Sequence, residues 1–462
     1  MYTGIKLGFC PIGKFVFSHD DAKLYKKLIE EKMDRMGIHY VTIDDVIKDG
    51  IIRTHDDVGP AVDFLKSQNV DCIFLPHCNF GTESAAGLIG KKMGVPVLLW
   101  GPRDNAPQED GTRLRDTLCG LFASSKILTK LGVPFTYIEN CEVEDSIFQE
   151  GLDTFIRVSN VVKRFKNARI GIIGNRIDFF WSTIVNENEL LQKFGIEVLP
   201  FDLVKVVRMT RELAEENRRD YLNEIVELKK RVNLVAISET GIVNVLALRD
   251  VMYRLAVENK LTALAVESFM SITEELDAMI SFAQAMVTDM GIPCICESDI
   301  HGAISSIIAE AAALNTRPSF FADLTVRHPE NDQGLLLWHD SFPISLKAPD
   351  SEASIGIHWI LPGINPGMCH WRLKEGEITI IRFDGEFSDY KLMAHECRTI
   401  AGPYTQNTYV WVEIPEWKQF ERKIIEGPYI HHTACIYGNF SNVMKEACKY
   451  ITGLSFDSVG RD

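Results

Sequence analysis

The sequence predicts an α/β protein: two parallel-sheet domains in succession, then a β-rich, barrel-like C-terminal domain. Three observations carry that prediction. Over the first 165 or so residues, short apolar runs alternate with stretches of helical period, as in a parallel sheet with helices on its faces. The alternation restarts at "IGIIGN", just after the basic run "VVKRFKNAR", and continues to about residue 317. From Pro318 onward the helical period gives way to β-branched and aromatic runs punctuated by Gly, Pro and Asp. The expected domains are residues 1–167 and 168–317, both Rossmann-like, and 318–462.

In chain order, "IKLGFC", "HYVTID", "VDCIFLPHC" and "VPVLLWGP" read as the strands of the first domain. Helical stretches separate them, among them "DDAKLYKKLIEEKMDRMG", which Gly37 ends. "IGIIGN", "IEVLPFD", "VNLVAIS", "LTALAVES" and "IPCICES" read as the strands of the second domain. "SITEELDAM" begins a helix expected over 273–290, with Thr273 as its cap and Glu274 and Glu275 in its first turn. "PSFFADLTVRH", "GLLLWHDSFPISL", "GEITIIRFDGE" and "TYVWVEIP" are the main strands of the third domain.

Composition narrows the function. The formal charge of −15 speaks against nucleic-acid and anionic-membrane partners, which need a basic surface. No run of 18 apolar residues offers a spanning helix, and the N-terminus has no secretory pattern. The eleven scattered cysteines lack any CxxC spacing and read as reduced, buried thiols of a cytoplasmic protein. "RIGIIGN" lacks the G-x-G-x-x-G pattern of a nucleotide loop.

Sites in open α/β sheets lie beyond the carboxyl ends of the strands. "IPCIC" ends in "ESDIHGA", so Glu297 and Asp299 emerge at such an edge. Eight of the twelve histidines lie at or after His301. His339 stands at the exit of an apolar strand, and His431 and His432 follow a Gly-Pro turn. Carboxylates together with imidazoles suit a divalent ion such as manganese, magnesium or cobalt. The blander readings are a loop or cap pair for the acids, dipole matching for Glu274 and Glu275, and a solvated turn for the histidine pair.

Four stretches carry a family likeness: "NFGTESAAG", "LLWGPRD" and "DGTRLRDTLCGLFA" within 79–124; "GIPCICESDIHGAIS"; "MCHWRLKEGEITIIRFDGEF"; and "HHT" at 431–433. In this order along the chain they resemble the L-fucose isomerase and L-arabinose isomerase superfamily, closest to its L-fucose-isomerase-like members. The resemblance implies a homo-oligomer, a trimer or hexamer, with sites at subunit interfaces. It implies aldose–ketose isomerisation of a small sugar with a bound divalent metal, usually manganese. By position, Glu275, Asp299 and His432 would bind the metal, with Glu275 and Asp299 catalytic. Glu274 and Glu267 are alternatives for Glu275, and Glu297 competes with Asp299. His339 and His431 are further candidates, and His301 replaces the family's usual tyrosine after the Asp motif. Arg103 and Arg113 are expected to hold the sugar, and an acidic protein with an arginine loop suggests an anionic, for example sulfonated, hexose.

The chemistry explains the residue types. Moving one proton between the first two carbons of an open-chain sugar interconverts aldose and ketose. A carboxylate moves the proton and a metal stabilises the enolate-like charge. A cis-enediol path of this kind predicts that solvent deuterium enters the carbon next to the ketose carbonyl. The rivals are a metal-dependent aldolase or epimerase, and a non-catalytic sugar-binding protein.

Overall fold

A computed structural model describes residues 4–269, 271–360, 363 and 365–460. The chain divides into two compact units, Met1–Lys163 with Lys445–Ile451, and Arg164–Met444 with Thr452–Asp462.

The first unit holds a five-stranded, wholly parallel sheet. The strand Leu7–Phe9 lies between Tyr40–Val41 and the central strand Cys72–Pro76, and Val97–Trp100 and Thr136–Tyr137 follow beyond the latter. Cys72–Pro76 and Val97–Trp100 are buried at every residue, as strands covered by helices on both faces must be. The helix predicted to stop at Gly37 runs His19–Met36. Gly37 caps it at φ 69°, a conformation that costs glycine no Cβ clash.

His77 follows the third strand and is wholly buried. Its Nε2 lies 2.7 Å from Ser124 Oγ, and burial lowers its pKa to about 4. An unfolded chain protonates this ring near pH 6.5 while the folded one stays neutral. Stability is therefore complete above pH 6.5 and is lost as pH falls toward 4, by at most about 3 kcal/mol. Urea unfolding at pH 7.5 and pH 5 is expected to show that loss in the native protein, and His77→Gln to remove most of it.

The second unit holds two sheets. Four parallel strands run in the order Cys294–Ile295, Ala263–Val266, Arg169–Ile173 and Glu197–Phe201. Six more close into an antiparallel barrel. Asp389–Ile400, Glu377–Glu386, His432–Tyr437, Phe320–Arg327, Gly334–His339 and Thr408–Glu413 pair in turn, and the last returns to the first. Closure removes the open edges that β-rich segments otherwise expose. The helix Ile300–Ala312 is buried along its whole length and packs on the barrel strands Glu377–Glu386 and His432–Tyr437.

Two elements differ from the sequence expectation. "VNLVAIS" contributes only Asn233–Leu234, which pairs with Ser354–Ile355 at the end of the large sheet rather than joining the central one. The exposed Asn233 interrupts its apolar run, and Val235 and Ala236 are exposed too, which suits an edge strand and not a strand covered on both faces. The 273–290 helix is two helices, Ser271–Leu276 and Ser281–Asp289, with Asp277 at φ 54° between them. Thr273 lies inside the first one, buried, and its Oγ1 donates to the Ser268 carbonyl.

Candidate active site

Four chain segments build the site, all within the second unit: the strand His432–Tyr437, which begins with His432, and three more. The first of these three is the exit of Cys294–Ile295. Glu297 (φ 61°) and Ser298 (φ 53°) are both left-handed, a conformation that costs a non-glycine residue on the order of 1 kcal/mol or more. That turn directs the Glu297 carboxylate to His432 Nε2, 3.0 Å away. The second is Phe320–Arg327, whose register sets Asp323 directly opposite His432 on the neighbouring strand. The third is the end of Gly334–His339, which carries His339.

Four groups meet there. Asp323 Oδ1 lies 3.5 Å from His432 Nε2 and 3.8 Å from His339 Nε2. Ligand atoms of Glu297, His339 and His432 all lie within 4.8 Å of one another, and all three residues are buried. Asp323 Oδ1 and His339 Nε2 are buried without a hydrogen-bond partner, and His432 Nε2 has only the Glu297 carboxylate at 3.0 Å. Native proteins rarely leave such atoms unpaired, and their convergence marks a place for a cation or substrate.

Each imidazole is held from behind by a carboxylate. His432 Nδ1 lies 3.0 Å from Asp299 Oδ2, and His339 Nδ1 lies 2.8 Å from Asp340 Oδ1. A carboxylate can only accept, so His432 Nδ1 donates to Asp299, while His339 Nδ1 lies between the Asp340 carboxylate and the Asp340 N–H, which donates to it at 2.9 Å; both Nε2 atoms are turned to the centre. This is the arrangement that supports metal-bound histidines. Asp299 is wholly buried and caps the helix Ile300–Ala312 by accepting from Gly302 N. Arg382 Nη1 donates to it at 2.6 Å, and Arg382 Nε donates to Asp384 at 2.8 Å.

The charges follow from these contacts. Burial alone would raise the Asp299 pKa, but the Arg382 guanidinium and His432 hold it well below the usual carboxylate range. Burial likewise opposes ionisation of Asp340, yet His339 and Cys296 keep it at about 2. Asp323 has no such compensation, and burial pushes its pKa up. Burial would lower the pKa of His432, but Asp299, Glu297 and Asp323 outweigh it and raise it to about 9. The centre therefore favours positive charge at His432 Nε2.

The residues singled out in the sequence fall into three groups. Glu297, His339, His431 and His432 come together, with the ring centroids of His431 and His432 4.3 Å apart and His431 half-exposed. Asp299 touches His432, but through Nδ1, on the side of the ring away from the cluster. Glu267 leaves the same sheet edge as Glu297, because the register pairs Cys294 with Leu264 and Ile295 with Ala265. Its carboxylate accepts from Phe269 N and Ile272 N. In the third group Glu274, Glu275 and His301 face solvent or have other partners, and Arg103 and Arg113 lie in the first unit. Glu275 is 54% exposed and paired with Arg211, and Glu274 is exposed on the same short helix. With the helix starting at Ser271 and ending at Leu276, both acids face solvent, so neither joins the groups around His432. His301 is buried with Nδ1 3.1 Å from Asp384. Arg113 pairs with Asp116, and Arg103 is exposed; both belong to the first unit.

Asp323, Asp340 and Arg382 were not singled out from the sequence. Two of them carried a signal: a charge inside an apolar strand run, in "FFADLTV" and "TIIRFDG", where charge is costly unless paired or functional. Asp340 lies just past the end of its strand and gave none.

Residues 8–166 match the family described as "Fucose/sulfoquinovose isomerase, N-terminal domain". Over 443 residues the chain is 24% identical to the sulfoquinovose isomerase of Priestia aryabhattai, covering 95% of this chain and 96% of that one. It is 23% identical over 442 residues to the sulfoquinovose isomerase of Alkalicoccus urumqiensis, covering 95% and 96%. It is 24% identical over 364 residues to that of Clostridium sp. (strain MSTE9), covering 76% of each. The matched first domain and the likeness across nearly the whole length support the fucose isomerase-like superfamily as what this chain resembles.

Proposed function

We propose that the protein is an aldose–ketose isomerase acting on a sulfonated hexose, with a divalent cation held by Glu297, His339 and His432 and with Asp323 moving the proton. The observation that carries the reading is the convergence of two imidazole Nε2 atoms and two carboxylates at one spot, each ring backed by a further carboxylate. The substrate class rests on the relatives, which are sulfoquinovose isomerases.

The donor set fits a metal. Nitrogen and carboxylate oxygen suit manganese(II) or cobalt(II), and Cys296, which forms a neighbouring group with His339 and Asp340, turns its Sγ to Asp340 and Ser341. Bound there, a divalent cation supplies Lewis-acid polarisation worth several kcal/mol. The remaining steps belong to the chain. Asp299 and Asp340 fix the two rings, and Arg382 keeps Asp299 ionised. Asp323, whose Oδ1 lacks a partner, takes the proton from carbon 2 of the open-chain aldose and returns it to carbon 1. The hydroxyl proton moves from the oxygen on carbon 2 to that on carbon 1, so the sugar changes only its carbonyl position.

The eleven free cysteines, ten of them buried, support work in a reducing, cytoplasmic setting. Among the described residues no helix is long and apolar enough to cross a membrane. The exposed Phe179, Trp181 and Trp359 support a homo-oligomer.

The test is a screen of neutral and sulfonated aldohexoses in heavy water, after chelation and again after manganese is restored. The expected result is turnover only with manganese, with deuterium on carbon 1 of the ketose. A ketose free of solvent deuterium would overturn the proton-transfer path, and cleavage of a carbon–carbon bond would make the protein an aldolase.

A further inference from the structure

A cavity of about 760 Å³ opens at the carboxyl ends of Arg169–Ile173 and the edge strand Glu197–Phe201 of the four-stranded sheet, with Glu267 in its wall. Arg176 is the one cation among its described lining residues, beside the acids Asp178, Asp202 and Glu267. Its guanidinium is held by its own loop: Nη1 donates to the carbonyls of Ile177 at 2.8 Å, Phe180 at 3.0 Å and Asp178 at 3.3 Å. Nε and Nη2 have no partner among the described residues, and no carboxylate there lies within ion-pair distance. Those two nitrogens form the side of the guanidinium that meets two oxygens of an oxyanion at once. Of the two arginines expected to hold the sugar, Arg113 is paired with Asp116 and Arg103 is exposed in the first unit; the buried Arg382 is paired with Asp299 and Asp384.

The same loop leans on the reaction site. The Asn175 carbonyl accepts from Ser298 Oγ at 3.2 Å, and Ser298 is the neighbour of Glu297. A Cβ on Gly174 would lie 2.9 Å from Glu267 Cβ, and Gly174 has φ 78°, so only glycine lets the loop sit so close to that wall. An open-chain hexose reacting at carbons 1 and 2 carries a terminal substituent at its other end, and Arg176 stands in the wall that Glu267 shares.

We infer that Arg176 receives the anionic terminal group of the substrate and sets the preference for a sulfonated over a neutral hexose. The inference rests on the sulfonated-sugar reading above. The three acids of the cavity repel an anion, so without Arg176 the preference reverses rather than merely weakening.

The test compares the full-length, manganese-restored protein with Arg176→Met and Arg176→Lys. Calorimetric binding and turnover are measured with 6-deoxy-6-sulfoglucose and with glucose. The ratio of affinities, sulfonated over neutral, is expected to fall by about 10²-fold in Arg176→Met, the scale of a lost pair of charge-assisted hydrogen bonds. Arg176→Lys, which keeps the charge and loses the fork, falls between, and the effect lies in KM more than in kcat. An unchanged ratio in Arg176→Met overturns the inference, as does a fall seen in Arg103→Met instead. Arg176-dependent binding without turnover leaves the anion site standing and overturns the isomerase reading. A native protein that isomerises a neutral aldose but does not bind the sulfonated one overturns the Arg176 assignment alone.

Discussion

His432→Gln is expected to lower kcat by about 10³-fold or more and to empty the metal site, the scale set by several kcal/mol of Lewis-acid stabilisation. The reason is geometric. His432 Nε2 is the atom common to both sides of the cluster, 3.0 Å from Glu297 and 3.5 Å from Asp323. Glutamine fills a similar volume and still reaches Asp299, so the barrel strand His432–Tyr437 keeps its pairing with Phe320–Arg327 and Glu377–Glu386. Elemental analysis of the purified variant, with circular dichroism to confirm the fold, checks both halves. Retained metal with retained activity would show that the cation sits elsewhere.

Arg382→Met is expected to be the most destabilising single change at the site, by about 3–5 kcal/mol, because it leaves a buried carboxylate without its cation. Arg382 and Asp299 are 1% and 0% exposed, and the guanidinium bridges Asp299 and Asp384. A merely structural role would end there. Here Asp299 also orients His432, so manganese affinity is expected to fall by about 10–100-fold in the fraction that folds, as for loss of a group behind a metal ligand. The double variant Asp299→Asn with Arg382→Met removes both charges and is expected to recover much of the stability without recovering the affinity. Urea unfolding and manganese titration of Arg382→Met, Asp299→Asn and the double variant separate the two effects. A loss in the double variant equal to the sum of the two single losses would show that the two groups are not coupled.

The architecture was legible in the sequence because each part has its own period. The buried strands Cys72–Pro76 and Ala263–Val266 are unbroken apolar runs, and the barrel strands carry turn residues at their ends. The run at 233 misled because one interrupted strand looks alike in either sheet, and long-range pairing alone decides. At the site, the meeting of a strand-exit acid with His432 was legible from the "ESDIHGA" exit and the histidine pair, and Asp299 stands 3.0 Å from that ring. The division of labour between Glu297 and Asp299 was not. They lie two residues apart, and only the left-handed turn at 297–298 sends one to Nε2 while the other caps the helix behind Nδ1. Asp323 stayed hidden because its partner His432 is more than a hundred residues away, although an acid inside "FFADLTV" was the visible trace of it.

Anomalous scattering from a manganese-loaded crystal, collected at the manganese edge, tests the central claim most directly. One peak per chain is expected, bonded to His432 Nε2 and the Glu297 carboxylate at about 2 Å, as a first-row divalent ion bonds nitrogen and oxygen ligands. No peak beside His432, or a peak on another cluster of the chain, would contradict it.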